Sequence, residues 1–447
     1  MKIIIVGGGI AGCAAYLELQ KHLPKPAGSD DHQIVIYEAY NTDLDVTADQ
    51  RAEEHTHSST LLVGGGLGIA PNGLNVLKRL DEDLLKDIVR GGYVTATSNM
   101  KNKNGWPLFS MSSACTDNET ENPRNLHMVA TSRHAFWRAL RVRVPSEHII
   151  NKRICGVVAQ SDAKNLIHFA DGSSSVEADL VIGADGVRST ARRALFPNAK
   201  EDPYPPNYEG LVGVGGFIPS EEVKGLVEPG SMNFIFGGNG FFGYFFSESD
   251  KQAKNRDSPY NVSEPGESLA WWSTYEIEKC PDRETLDMAD VTQQLRKRHA
   301  TWKEPVVQKV LQSLSVQNLY PTWTSPALAT WQRDGVVLVG DAAHALPPSS
   351  GQGSSQALED VEALALFLAH YMRKGGAVKD TAEVRKKAIN AAAKSYMALR
   401  QPHVKAISDF AKNTQESKRQ MGIIKEYSMY AFMKLMGKSF YQSFSQF

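Results

Sequence analysis

A chain of 447 residues is longer than one ordinary domain, so two or three compact units are expected. At 42% hydrophobic residues it can bury a sizeable core, and a formal net charge of −1 carries no nucleic-acid footprint. Cys13, Cys115, Cys155 and Cys280 lie far apart, form no C-x-x-C pair and imply neither a zinc site nor a disulfide framework.

The chain opens MKIIIVGGGIAGCAAYLELQKHL. Its apolar run is too short for a signal peptide and ends in glycines. No stretch approaches the roughly 20 apolar residues of a membrane helix, so a soluble cytoplasmic protein is expected. Ile3 to Val6 reads as a buried parallel strand. Gly7, Gly9 and Gly12 then supply G-x-G-x-x-G, and Ile10, Cys13, Ala14 and Leu17 recur at helical spacing. In such a turn the first glycine makes the bend, the second lets backbone approach a pyrophosphate, and the third lets helix pack on strand. A second strand, HQIVIYEAY, ends near Glu38, whose carboxylate suits ribose hydroxyls and not a 2′-phosphate. The polar stretch PKPAGSDDHQ accounts for the long gap between motif and Glu38.

Asn41 to Thr60 is a long polar insertion. His55 and His57 within it have no carboxylate or cysteine in ligand register, so no metal is expected and a solvated loop or flap is the reading. Further on, ADLVIGADGVRSTARRALFP gives a strand at Leu180 to Ile182, then a tight turn containing Asp185 and Gly186. From about Glu201 to Ser325 the pattern becomes aromatic with period 2, as in antiparallel strands. Gly213 to Gly216 is not a second dinucleotide site, because no helix follows. Phe242, Tyr244 and Phe246 share one strand face, and Phe241 and Phe245 the other. Alternation alone does not say which face roofs a site, so Phe234, Phe236, Phe242, Tyr244, Phe246 and Trp272 are all pocket candidates. A helix pair is expected over Asp287 to Val316. Next comes VVLVGDAAHALPPSSGQGSSQALEDVEALA, a strand stopping at Gly340-Asp341, a small-residue loop, and a helix from about Ser354 to Lys374. Beyond Gln401 the chain reads as helical and ends in the amphipathic YSMYAFMKLMGKSFYQSF, which docks on the core or covers an interface.

These three motifs, in this order, resemble the single-component FAD-dependent monooxygenases, the group that includes para-hydroxybenzoate and salicylate hydroxylases and epoxidase relatives. The resemblance covers nearly the whole chain. It implies an α/β fold: a Rossmann-like, GR2-type FAD-binding domain from 1–200 and 326–400, an inserted antiparallel substrate domain at 201–325, and a helical segment at 401–447. Residues 7–12 resemble the family's pyrophosphate motif. Asp185-Gly186 resembles its flavin and nicotinamide motif, and Gly340-Asp341 its ribityl motif. By the same match Pro348 borders the flavin ring, and Gly351, Gln352, Gly353 and Ser354 offer backbone contacts. Gly64 to Gly73 (GGGLGIAPNG) resembles another cofactor-side segment, and Arg133 in SRHAFWRAL matches a cofactor-contacting arginine. The insertion leaves a further flavin-contacting arginine unmapped, with Arg51 only a guess. Tyr396, Arg400 and Val404 fit the C-terminal pattern, with His403 replacing an arginine.

The resemblance implies non-covalent FAD, NAD(P)H as a transient co-substrate, and dioxygen. Oxygen would pass from a flavin C4a-hydroperoxide to an aromatic or alkene substrate, in a monomer or homodimer. Phenol hydroxylation benefits from a base and epoxidation needs none. No base stands out, so both remain open; His344, like Pro348, lines the flavin by the same match, but it reads as bracing the loop and not as taking a proton. A halogenase is disfavoured because Trp271-Trp272-Ser273-Thr274 does not match W-x-W-x-I-P. A flavin oxidase or reductase, or a non-catalytic redox sensor, stays as an alternative.

Overall fold

Ile3, Ile4 and Ile5 have no solvent exposure, and the strand they form, Lys2–Val6, is the middle of a sheet covered on both faces. The computed structural model describes residues 1–25, 31–42, 44, 66–113, 126–282, 285–376 and 381–442. Lys2–Val6 pairs in parallel with Gln33–Glu38 on one side and Leu180–Gly183 on the other. Val336–Leu338 continues the sheet in parallel, Ile149–Asn151 closes one edge, and antiparallel Gln332–Arg333 closes the other. The helices Ile10–His22 and Gly353–Gly376 pack on each other over this Rossmann-like sheet.

The second large sheet has seven strands, in the order Leu319–Thr324, Asn207–Pro219, Ser268–Glu276, Gly240–Phe246, Ser231–Gly237, Thr97–Asn102, Pro107–Ser112. It therefore draws on chain outside 201–325, because Thr97–Asn102 pairs in parallel with Ser231–Gly237. Met288–His299 and Pro305–Gln312, the expected helix pair, supply Val291, Leu295, Val306, Val307 and Val310 to a core against one sheet face. Gly213 to Gly216 lies mid-strand, paired with Trp271 to Thr274, as the lack of a following helix requires.

The helix Ala382–Gln415 runs unbroken past Gln401, although Pro402 lies inside it. The last helix, Ile423–Gln442, docks through Tyr430 and Met433 on Met100, Leu108, Phe236 and Phe241, and leaves Ile424 and Leu435 exposed. Among the described residues no helix is long and apolar enough to cross a membrane, and no cluster of His, Cys, Asp or Glu could hold a metal ion. His55 and His57 lie outside the described residues.

Candidate functional site

Four adjacent parallel strands, in the order Val336–Leu338, Leu180–Gly183, Lys2–Val6 and Gln33–Glu38, run in the same direction. Gly340-Asp341, Asp185-Gly186, the glycine turn and Glu38 each sit at or just past a carboxyl end. Segments separated by hundreds of residues in sequence thus share one edge, where open α/β sheets bind ligands.

Gly7 has φ +102°, and a Cβ there would lie 2.6 Å from the Ala184 carbonyl, so the first two turns touch and Gly7 tolerates no side chain. A Cβ at Gly12 would lie 1.9 Å from the Gly7 oxygen, which is how closely helix meets strand. Gly9 has no neighbour within 4 Å of its would-be Cβ, and no side chain caps the Ile10–His22 helix. Its first-turn amides are left for an anion. The Glu38 carboxylate accepts from Gly8 N at 2.6 Å and Tyr40 N at 3.0 Å. Burial pushes its carboxyl up, opposed by those amides. Each oxygen keeps a further lone pair for a hydroxyl.

Asp185 is engaged within its own turn. It accepts from Ser189 Oγ at 2.5 Å, Thr190 N at 2.6 Å and Ala191 N at 3.1 Å, and burial raises its carboxyl against these bonds. What this turn presents is backbone at Gly186, φ +75°, with nothing within 4 Å of a would-be Cβ. Arg133 opens the helix Arg133–Arg141, is exposed, and makes no hydrogen bond or ion pair among the described residues. One turn on, buried Trp137 donates Nε1–H to Gly8 O at 2.9 Å and fastens this helix to the glycine turn. Sequence reasoning missed Trp137; its signal was the four-residue spacing that puts it on the same helix face as Arg133.

Asp341 is exposed and has no partner among the described residues. The backbone that presents it is heavily braced. Asp360, fully buried, accepts from Gly340 N at 2.9 Å, meets His344 Nε2 at 2.5 Å and accepts from Arg400 Nε at 3.0 Å. Burial works to raise this carboxyl, but His344 and Arg400 outweigh it and hold it below the usual range. Arg400 also pairs with Glu359 at 2.5 Å, and Tyr396 donates to Leu338 O at 3.0 Å. His344 faces Asp360 and its ring lies tilted against Trp331, 5.0 Å between centroids, so it braces the loop. Asp360 was not singled out from sequence; an acid on the apolar stripe of ALEDVEALA was its signal.

Pro348 is exposed on the short turn Pro348–Ser350, and Gly351 follows at φ +60°. Gln352 Oε1 accepts from Asn72 at 3.2 Å, Ser354 Oγ donates to Gly68 O at 3.5 Å, and Ser355 Oγ accepts from Ala70 N at 3.1 Å. The G-L-G-I-A-P-N-G segment and the start of the Gly353–Gly376 helix are therefore one unit; Gly64 lies outside the described residues.

The aromatic stripe divides. Phe242, Tyr244 and Phe246 are core, which corrects their candidacy for a pocket. Phe242 stacks on Trp271 at 5.6 Å, Tyr244 donates to Glu304 at 2.8 Å, and all three lie in the core that includes the helix pair. Phe234, Phe245 and Trp272 occupy the other face with Phe241, Trp272 lying 5.9 Å from Phe234 and 5.7 Å from Phe245. That face abuts the small sheet of Gly66–Ile69, Met128–Ser132 and Gly92–Thr95, where a Cβ on Gly66 would lie 2.4 Å from the Phe245 ring. Phe236 shares this face but is covered by Tyr430 and Met433.

A protein family described as FAD binding domain matches residues 159–410. FAD-dependent monooxygenase okaB of Penicillium ochrochloron is 24% identical over 390 residues, covering 82% of this chain and 73% of that protein. The 6-hydroxynicotinate 3-monooxygenase of Pseudomonas fluorescens is 24% identical over 368 residues, covering 82% of each. Among solved structures, Klebsiella pneumoniae HpxO complexed with FAD and uric acid superposes with TM-score 0.66 at 19% identity, covering 100% of this chain and 92% of that one.

Proposed function

The chain belongs to the FAD-binding domain family and is an FAD-dependent monooxygenase; we propose that it uses NAD(P)H and dioxygen to hydroxylate or epoxidise an aromatic or other electron-rich apolar small molecule. The observation that carries this reading is the set of four motifs at the carboxyl ends of four adjacent strands.

The residues fit FAD. The uncapped amides at Gly9 suit its pyrophosphate, the free lone pairs of Glu38 its adenosine ribose, and unpartnered Asp341 a ribityl hydroxyl. Arg133, which has no partner among the described residues, is a cation for the same ligand, and backbone from Pro348 to Ser354 suits the ring edge. When bound, FAD supplies hydride acceptance and dioxygen activation. The chain's own part is to orient substrate and exclude water. Phe234 and Trp272, partly buried and backed by Phe245, offer an apolar wall for an aromatic ligand, with the Pro348 turn as its flavin-side partner. No described side chain is singled out as a base, which suits either oxygenation.

The test is NADPH and NADH oxidation by FAD-loaded protein under air, with and without an aromatic extract. Substrate-dependent consumption with a product one oxygen atom heavier supports the reading. Consumption that yields only peroxide favours an oxidase or reductase, and none at all favours a redox sensor.

A further inference from the structure

Lys418 closes the short turn Glu416–Lys418 between the last two helices. It is 7% exposed, and its Nζ sits 5.1 Å from the centroid of the Phe241 ring. Among the described residues it makes no hydrogen bond and no ion pair. Its charged and polar neighbours in sequence are engaged elsewhere. Arg419 pairs with Glu276 and Glu416 at 3.1 Å each, Gln415 donates to Glu209 at 3.1 Å, and Glu426 pairs with Lys103 at 2.7 Å. Burial alone lowers its ammonium to about 8, with no carboxylate to offset it.

An ammonium so held is costly, since desolvation is not repaid by a partner. A methionine would fill similar space without that penalty. Phe241 belongs to the sheet face of Phe234 and Trp272, 6.1 and 6.0 Å from its ring. The same part of the chain reaches the Pro348 turn, where Ser349 Oγ donates to Ala411 O at 2.9 Å. A lone cation thus stands over the aromatic wall, on chain that also touches the turn assigned to the flavin ring.

We propose that Lys418 is a substrate-binding residue whose ammonium pairs with an oxyanion, a carboxylate or ionised phenol, on an aromatic substrate lying against Phe234 and Trp272, beside the covered Phe241 ring. This rests on the monooxygenase reading and narrows its substrate class to aromatic oxyanions. The cation–π contact with Phe241 holds the lysine while that anion is away.

The test titrates full-length, FAD-loaded protein near neutral pH with benzoate, pentafluorophenolate and neutral benzyl alcohol, following flavin absorbance, in wild type, Lys418→Met and Lys418→Arg. At least one anion should bind wild type, bind Lys418→Met about tenfold or more weakly, and bind Lys418→Arg nearly as well as wild type. Which anion binds separates carboxylate from phenolate. Benzyl alcohol should not distinguish the three proteins. Ligand-free Lys418→Met should melt at or above wild type, as expected when an unpaired buried charge is removed. Failure of both anions to bind wild type, equal anion binding by wild type and Lys418→Met, or a methionine variant that melts well below wild type each overturns the proposal. NAD(P)H oxidation by wild type reports on the monooxygenase reading separately, so the two can fail independently.

Discussion

At the scale of single residues, Asp341 and Glu18 make opposite demands on charge. Asp341 presents a solvated carboxylate with no partner among the described residues, so its removal costs the fold little and a ligand much. Asp341→Ala should weaken FAD affinity by about ten- to a hundredfold, the worth of a charge-assisted hydrogen bond of roughly 1.5–3 kcal/mol. Titration of apo-protein with FAD, beside a thermal melt that stays near wild type, measures both halves. Glu18, in contrast, is 1% exposed within the Ile10–His22 helix, and burial, helped by nearby Glu362, raises its carboxyl to about 7 against the pull of Lys21 and Arg79. Because the folded value lies above the unfolded one, the stabilising state is the protonated one. Its contribution is present below the ordinary glutamate range and is lost as pH rises through about 7. Glu18→Gln should match wild type in acid and exceed it in stability at pH about 8, by at most roughly 3 kcal/mol. Equal urea midpoints for the two proteins at high pH would contradict this.

At the scale of elements, the long helix Ala382–Gln415 acts as a clamp on the ring-side loop. Arg400 and Tyr396 lie one turn apart on it, and they hold Asp360 and the Leu338 carbonyl respectively. Arg400→Leu leaves Asp360 buried without its guanidinium partner, and should destabilise the protein by about 3–5 kcal/mol. Guanidinium denaturation checks this, and loss of FAD retention should accompany it. The pattern Y-x-x-x-R was visible in sequence because spacing on one helix is local information. Asp360 was hidden because its meaning depends on a helix that follows it. The glycine turns were legible for the same local reason: Gly7 and Gly12 answer to backbone closeness alone. The aromatic stripe was half legible. Alternation separates Phe242 from Phe241, but only the packing of Met288–His299 and Pro305–Gln312 decides which face is closed. Strand Thr97–Asn102 was illegible as part of the second sheet, since its partner Ser231–Gly237 is remote and parallel pairing leaves no turn signature.

At the scale of the whole molecule, the two sheets divide the labour unequally. The Rossmann-like sheet gathers one dinucleotide cradle, while the glycine clusters Gly213 to Gly216 and Gly237 to Gly243 are taken up in the strands of the second sheet. Among the described residues no second cradle of this kind exists to keep NAD(P)H beside the flavin. On the proposed reading the reductant would visit and leave, and the ring end it would reach is bordered, Gln352 apart, by small side chains on a loop, Ser349 to Ser355, tied to its neighbours through Ser349 and Ser355. Such a loop suits a cofactor ring whose position responds to what lies against the Phe234 and Trp272 wall. If so, reduction should be slow in the free enzyme and should rise by an order of magnitude or more when a true substrate occupies that wall, about 1.4 kcal/mol in barrier. Stopped-flow absorbance under nitrogen, with NADPH and NADH in turn, measures the rate. A reduction that is fast without ligand, and unchanged by every aromatic that demonstrably binds, would show that the visiting reductant needs no substrate to gain access, and would move the assignment toward an oxidase or reductase.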